Sequence, residues 1–452
     1  MKRTIILISV VCLLAGCGIY KPYSRPVVDV DNLYRDTTAV DSTSSGTLSW
    51  KELFTDTRLQ ELIIQGLEQN TDLRIARLKV EEAEAVLMNA RISYLPAVSA
   101  NASGTISRFD GKELPKTYNS GFSAAWELDI FGKVTNARKG AKAALEGSRA
   151  YAQAVQTKLV ATIAGSYYTL AMLDRQLQIS LSTRKNWERT ITVLEALKRA
   201  GQTNDVAVLQ AKASLMALES TILSIQENIT ETENSLSTLL AMPCRGIRRS
   251  MPVKDDFPKK FAIGVPLHLL SNRPDVRQAE YNLMQSFYAT NVARAAFYPN
   301  ITLSGNAGWT NSGGELLLNP GKWLLSALGS LTQPLFSKGT NIANLKIAKA
   351  RQEEALLSFQ QAILDAGKEV NDALAQWQTA NSRIETNTEQ VETLTLAVHK
   401  TELLMKHSSV NYLEVLTAQQ FLLDAEQALV ERQFDRIQGI INLYHALGGG
   451  VQ

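Results

Sequence analysis

The four histidines of this 452-residue chain stand at 268, 399, 407 and 445. No two share the spacing of a metal-ligating pair such as His-Glu-x-x-His, and no Gly-rich phosphate loop of the Walker type occurs. No motif joins a nucleophile to a base. The chain therefore reads as a non-enzyme without metal or cofactor site, whose energy must be supplied elsewhere. Lys and Arg total 47 against 44 Asp and Glu. Removing Lys2 and Arg3 with a leader leaves 45, an excess too small to suggest nucleic acid as a partner.

The cysteines are Cys12, Cys17 and Cys244. Lys2 and Arg3 precede an apolar run from Ile5 to Leu14, too short to span a bilayer as a helix and typical of a secretory leader. Leu14-Ala-Gly-Cys17 resembles the bacterial lipobox, which implies cleavage before Cys17 and its acylation; the alternative is an ordinary leader with a chance cysteine. Gly18 is not the aspartate that tends to hold such lipoproteins in the inner membrane. With Cys12 removed and Cys17 lipidated, Cys244 has no partner, so stability must come from a large core or from oligomerisation.

The elements repeat. Pro96 and Pro299 lie 203 residues apart, each followed by a two-residue alternation. Asp72-Leu-Arg-Ile-Ala matches Asp275-Val-Arg-Gln-Ala, Phe131-Gly-Lys-Val-Thr-Asn matches Phe336-Ser-Lys-Gly-Thr-Asn, and Val208-Leu-Gln-Ala matches Val415-Leu-Thr-Ala. The chain is an internal duplication of about 200 residues. None of the twelve prolines falls between Pro115 and Pro243 or after Pro334, which marks long-helix tracts. Leu345, Ala348, Gln352, Ala355, Phe359, Ala362 and Ala366, then Val370, Ala373, Trp377, Ala380 and Ile384, form a heptad seam with one stutter.

Turn residues set the helix ends. The first half reads as a helix from Thr135 to Ala200, a turn at 201–204, and a helix from Asp205, with Asp205 as N-cap, to Ala241. The second half reads as helices Asn341–His407 and Tyr412–Leu447 around a turn at 408–411. The longer helices descend roughly 100 Å at 1.5 Å per residue and the shorter ones return about half as far. Helices over Asn272–Tyr298 and Thr71–Leu95 make up the difference and lead into the alternating segments.

Those segments are four strands in two hairpins, about 97–108 with 119–130 and 300–310 with 323–336, the last alternating less cleanly. Aromatics mark their ends: Tyr94, Phe131, Tyr298 and Phe336 on the helical side, Phe109, Tyr118, Trp309 and Trp323 at the far side. Such strands fit an outer-membrane β-barrel. Four cannot close a barrel and open edges cannot stand in lipid, so the chains must pool strands. Two chains give 8 and three give 12, and three leave a lumen.

The duplicated plan, Arg273-Pro-Asp-Val-Arg-Gln-Ala-Glu280, Ala293-Arg-Ala-Ala-Phe-Tyr-Pro-Asn-Ile301 and Tyr412-Leu-Glu-Val-Leu-Thr-Ala-Gln419 together resemble the TolC/OprM/NodT-type outer membrane efflux lipoproteins. The resemblance implies a mainly α fold with a membrane β-barrel: long antiparallel helices in a periplasmic α-barrel, four strands per chain in a shared 12-stranded trimeric barrel. It also implies an exit duct working with a periplasmic adaptor and an inner-membrane RND-type transporter. The expected organisation is a leader over 1–16, a lipid-anchored segment over 17–56, repeats over 57–241 and 272–447 separated by a proline-rich linker over 242–271, and a tail over 448–452. In this family two positions one helical turn apart after the second-half turn ring the closed pore; here they are Glu414 and Thr417, only the first acidic. Gly201, Thr203, Asp205, Ser408 and Asn411 fall at the helix turns as candidate adaptor contacts, with Gly201 supplying turn geometry and Asp205 reading more as a helix cap than as a pore residue. A protein-secretion duct and a non-conducting coiled-coil lipoprotein are the alternatives.

Overall fold

A computed structural model describes residues 20–28, 33, 49–106, 108–113, 117–250, 257, 273–311, 322–406 and 412–449. Helices α1 (Trp50–Leu53), α2 (Thr57–Gln69) and α3 (Thr71–Ile92) lead to strands β1 (Ala97–Thr105), β2 (Arg108–Phe109), β3 (Lys112–Glu113) and β4 (Thr117–Leu128). Helices α4 (Lys133–Arg199) and α5 (Asp205–Leu239) complete the first repeat. The second consists of α6 (Pro274–Ala295), β5 (Asn300–Asn311), β6 (Lys322–Thr332), α7 (Thr340–Lys406) and α8 (Tyr412–Ala446). The duplication is visible in the lengths: α3 and α6 both have 22 residues, α4 and α7 both 67, α5 and α8 both 35.

The chain folds as two compact units. The first, Met1–Asp29, Leu78–Ala150 and Arg277–Gln361, holds an antiparallel sheet in the order β1-β4-β5-β6. The central pair joins the two repeats, from Tyr118 opposite Asn311 to Leu128 opposite Ile301. The strands lie within a few residues of expectation, with two corrections. The expected first strand, to about 108, stops at Thr105, and β2 and β3 form a separate two-stranded sheet. The expected fourth strand, to 336, stops at Thr332, just before Pro334, which has no N–H to give a ladder. At the other end Asp129 accepts from the Val134 and Thr135 amides at 2.8 and 2.7 Å, which seats the start of α4. The stretch at 20–28 docks on this unit: Tyr20 donates to the Phe131 carbonyl at 2.9 Å, and Arg25 pairs with Glu280 at 3.3 Å.

The second unit, Val30–Arg77, Tyr151–Val276 and Ala362–Gln452, is helical and holds the larger core. Leu59, Ile63, Leu73, Ile163, Tyr167, Leu170 and Leu194 are almost wholly buried. Helix α2, which the sequence reading did not separate, packs through Gly66, where a Cβ would strike Ile163 at 2.4 Å. Every residue of the expected seam is buried or half-buried. In its α7 segment within this unit, Ala366, Val370, Ala373, Trp377 and Ala380 are buried. Glycine in α8 lets the helices meet closely, since a Cβ on Gly439 would lie 3.1 Å from the Trp377 backbone.

Candidate functional site

In the first unit the chemistry is that of two sheet faces. Paired residues in an antiparallel ladder share a face, so the registers place Val98, Phe122, Trp126, Leu303, Trp309, Leu325 and Leu331 on one side. Ser99, Asn101, Ser123, Thr302, Ser304, Asn306 and Ser326 lie on the other. The exposed apolar side chains of the first face include Phe122 at 58 % and Leu331 at 68 %. A sheet that shows its aromatics outward and its hydroxyls on the opposite side is built for lipid on one face and water on the other. At the helical edge Phe131 stacks on Tyr298 with centroids 5.1 Å apart, and the Trp126 indole donates to the Tyr94 carbonyl at 2.9 Å. Trp309 pairs with Trp323 at the far end.

In the second unit the α4–α5 turn is closed by Gly201, whose φ of +72° is the left-handed conformation that glycine adopts without strain. Gln202 N–H donates to the Leu197 carbonyl at 2.9 Å and Gly201 N–H to Lys198 at 3.0 Å, the paired bonds of a helix C-terminal Schellman turn. Asn204, not Asp205, is the N-cap of α5, its side chain accepting from the Ala207 amide at 3.1 Å. Thr-Asn-Asp offers three side chains able to cap, and the backbone enters the helix one residue earlier than a cap at Asp205 would give. Asp205, exposed in the first turn, is ion-paired with Lys198 instead. Thr203 is half-buried.

The start of α8 packs on this turn. Tyr412 donates to Gln210 Oε1 at 2.8 Å, and Leu416 joins Ile191, Leu194, Val208 and Ala211 in one apolar cluster. With Val415 and Leu416 buried, Glu414 and Thr417 stand on the exposed side of the helix. Their surroundings differ. Thr417 lines a cleft of about 420 Å³ together with Trp187, Ser214, Leu413 and Phe421, and Glu414 does not. Cys17, Ser408 and Asn411 lie outside the described residues. Among the described residues no group of His, Cys, Asp and Glu could hold a metal ion.

Sequence reasoning used the Arg273 motif only as a resemblance and missed its contacts. Arg273 is 2 % exposed, donates to the Ala446 carbonyl at 2.9 Å and pairs with Asp275 and Glu369 at 2.6 and 2.7 Å. Burial works against its charge, but the two carboxylates prevail and hold its pKa above the ordinary value. Arg249 makes a similar cluster with Asp174 and Glu233, which fastens the segment after α5 onto α4 and α5. The Arg273–Asp275 pair is local to the motif, but Glu369 and Ala446, which complete the site, lie far away in sequence.

A duplicated chain that contributes two hairpins with a lipid face and a wet face, each carried on long helices, defines a protomer of an outer-membrane channel. The outer membrane efflux protein family model matches residues 62–242 and again 265–449, and the chain belongs to that family. It is 30% identical to the cation efflux system protein CusC of Escherichia coli K12 over 97% of both chains. It is 28% identical to the solvent efflux pump outer membrane protein SrpC of Pseudomonas putida, covering 97% of this chain and 96% of that one. The open-state MtrE channel of Neisseria gonorrhoeae superposes with a TM-score of 0.85 at 29% identity, covering 96% and 99%. The protein is an outer-membrane exit duct that assembles as a homotrimer, each chain giving four strands to a shared barrel. It works with a periplasmic adaptor and an inner-membrane RND transporter. The family is one of channels, not of enzymes.

Proposed function

We propose that this duct passively conducts small toxic compounds and is gated at the first turn of α8. Glu414 and Thr417 face the axis there, and Gly201, Thr203, Asp205, Ser408 and Asn411 receive the adaptor. The observation that carries this reading is the orientation of α8: Val415 and Leu416 are taken up by the helical core, which leaves Glu414 exposed one turn past the break. Three Glu414 carboxylates converging in a trimer favour cations and repel one another, so closure is held by other contacts and little energy opens it. In the same reading residues 1–16 are a leader, Cys17 carries the lipid anchor, and 242–271 links the repeats over 57–241 and 272–447.

The test is the reversal potential of single channels across a salt gradient. Glu414→Gln should lower cation selectivity at unchanged trimer yield. Thr417→Asp should raise it by adding a second ring. Equal selectivity in wild type and both variants would remove Glu414 from the pore.

A further inference from the structure

The irregular alternation of β6 has a structural answer. Its register sets Leu324 opposite Gly308 and Leu328 opposite Ser304. Both leucines therefore share the wet face of the sheet, with Ser326 between them and Ser330 beyond. In the shared barrel the face bearing Phe122, Trp126 and Leu331 must meet lipid, so the wet face lines the lumen. Among the described side chains of that face over 97–105, 117–125, 302–308 and 324–330 none is charged. Its polar groups engage one another: Ser99 and Ser123 hydroxyls lie 2.7 Å apart, and Asn101 Nδ2 donates to Ser123 Oγ at 2.7 Å.

Against this neutral wall Leu324 and Leu328 are 51% and 65% exposed. They are four residues apart on one strand, roughly 13 Å at the usual rise. Beside Leu324 the wall is bare. Gly308 and Gly121 pair there, and a Cβ on either would strike the opposite backbone at 2.4 or 2.5 Å. On the β5 side Leu324 thus stands beside main chain that carries no side chain.

We infer that Leu324 and Leu328 form an apolar ridge inside the barrel, repeated once per chain, that gives passing solutes with alkyl or aromatic portions a longer residence than purely polar ones. This rests on the conducting-duct reading and names a substrate class for it: organic amphiphiles. Glu127, opposite Thr302 on the same face, is ion-paired with Lys133; level with Leu324 and Leu328 the wall is uncharged, and the ridge supplies dispersion contacts and removes apolar surface from water.

The experiment uses the trimer in planar bilayers, with tetraalkylammonium ions from tetramethyl to tetrapentyl added on the outer side. In wild type the half-blocking concentration should fall about tenfold along the series, the equivalent of roughly two of the added methylenes being buried against the ridge. In Leu324→Asn/Leu328→Asn the dependence should flatten to less than twofold; Leu328→Asn alone, used if the double variant yields no trimer, should give an intermediate slope. In a Cys244→Ser background, Leu328→Cys should react with a membrane-impermeant maleimide in liposomes while Leu331→Cys stays protected. An unchanged alkyl-length dependence in the variants, or an unlabelled Leu328→Cys, would overturn the ridge alone. Absence of current in wild type would overturn the duct reading and the ridge with it.

Discussion

The two repeats make the same tie with different chemistry. In the first, Asn70 precedes α3 and its Nδ2 donates to the Leu239 carbonyl at the end of α5, at 2.9 Å. In the second, Arg273 precedes α6 and its Nη1 donates to the Ala446 carbonyl at the end of α8, at 2.9 Å. The positions correspond in the duplication, and both side chains are buried, at 6% and 2% exposure. Each satisfies a carbonyl that the helix terminus leaves without an intrahelical donor. The amide needs little else: Asn70 Oδ1 accepts from Leu73 N–H at 3.0 Å and thereby also caps α3. The guanidinium brings a charge into the interior and requires Asp275 and Glu369 to neutralise it. One geometric requirement is thus met once by a neutral group and once by a titratable cluster.

The comparison can be broken most severely at Arg273. Arg273→Ala leaves the Ala446 carbonyl unmet and two carboxylates without their cation. A loss of about 3 kcal/mol is expected, the low end for a broken buried pair because both carboxylates are partly in water. Arg273→Lys should recover only part of it, since an ammonium lacks the planar fork. Asn70→Ala should cost about 1–2 kcal/mol, the amount typical of an unsatisfied buried neutral group. Guanidinium unfolding of the detergent-solubilised trimer, followed by the helical circular dichroism signal, ranks the three. Equal losses at 70 and 273 would show that charge adds nothing to the second tie.

The smallest effect is in pH. Burial opposes ionisation of Asp275, but its hydrogen bonds to and attraction by Arg273 prevail and lower its pKa below the ordinary 3.8. His445, whose Nδ1 lies 3.9 Å from Glu369, is lowered from 6.5 by burial, with Arg273 and Lys158 acting in the same direction and Glu369 and Asp275 against it. Both groups bind protons more weakly folded than unfolded. The stability from His445 is complete above pH 6.5 and is lost as pH falls through its folded value. That from Asp275 is complete above 3.8 and is lost below it. Hydrogen exchange, corrected for intrinsic rate, should therefore show the end of α8 opening between pH 7 and 4 while the end of α5, tied by an amide, does not change. Parallel opening of both ends would refute the distinction.

Much of this was legible in the sequence, and the rest was hidden for identifiable reasons. The helix ends at Arg199, Lys406 and Ala446 fall within one residue of expectation, because glycine, proline and turn clusters act locally. The heptad seam is legible for the same reason. Local rules also gave the strands to within a few residues, but not the faces of β6, since Leu324 and Leu328 are assigned only by register with β5. The ties at Asn70 and Arg273 span more than a hundred residues and leave no periodic trace. Helix α2 adjoins α3 with only Asn70 between, so the sequence pattern runs through the break. Of the site, the turn at Gly201 was readable from glycine alone, whereas the unequal surroundings of Glu414 and Thr417 depend on Trp187 and Phe421 meeting from different helices.

The order β1-β4-β5-β6 also fixes when the membrane portion can form. Its central seam zips Tyr118–Leu128 to Ile301–Asn311, residues from opposite halves of the chain. The ribosome must release the second hairpin before the first has a neighbour, and the contacts are of high sequence separation and therefore slow to close. Even then β1 and β6 remain edge strands with unpaired main-chain groups, the kind of template that recruits stray chains. A newly exported protomer is thus a hazard until two others arrive. Its helical unit, with a core of its own, can mature before the sheets of three chains meet.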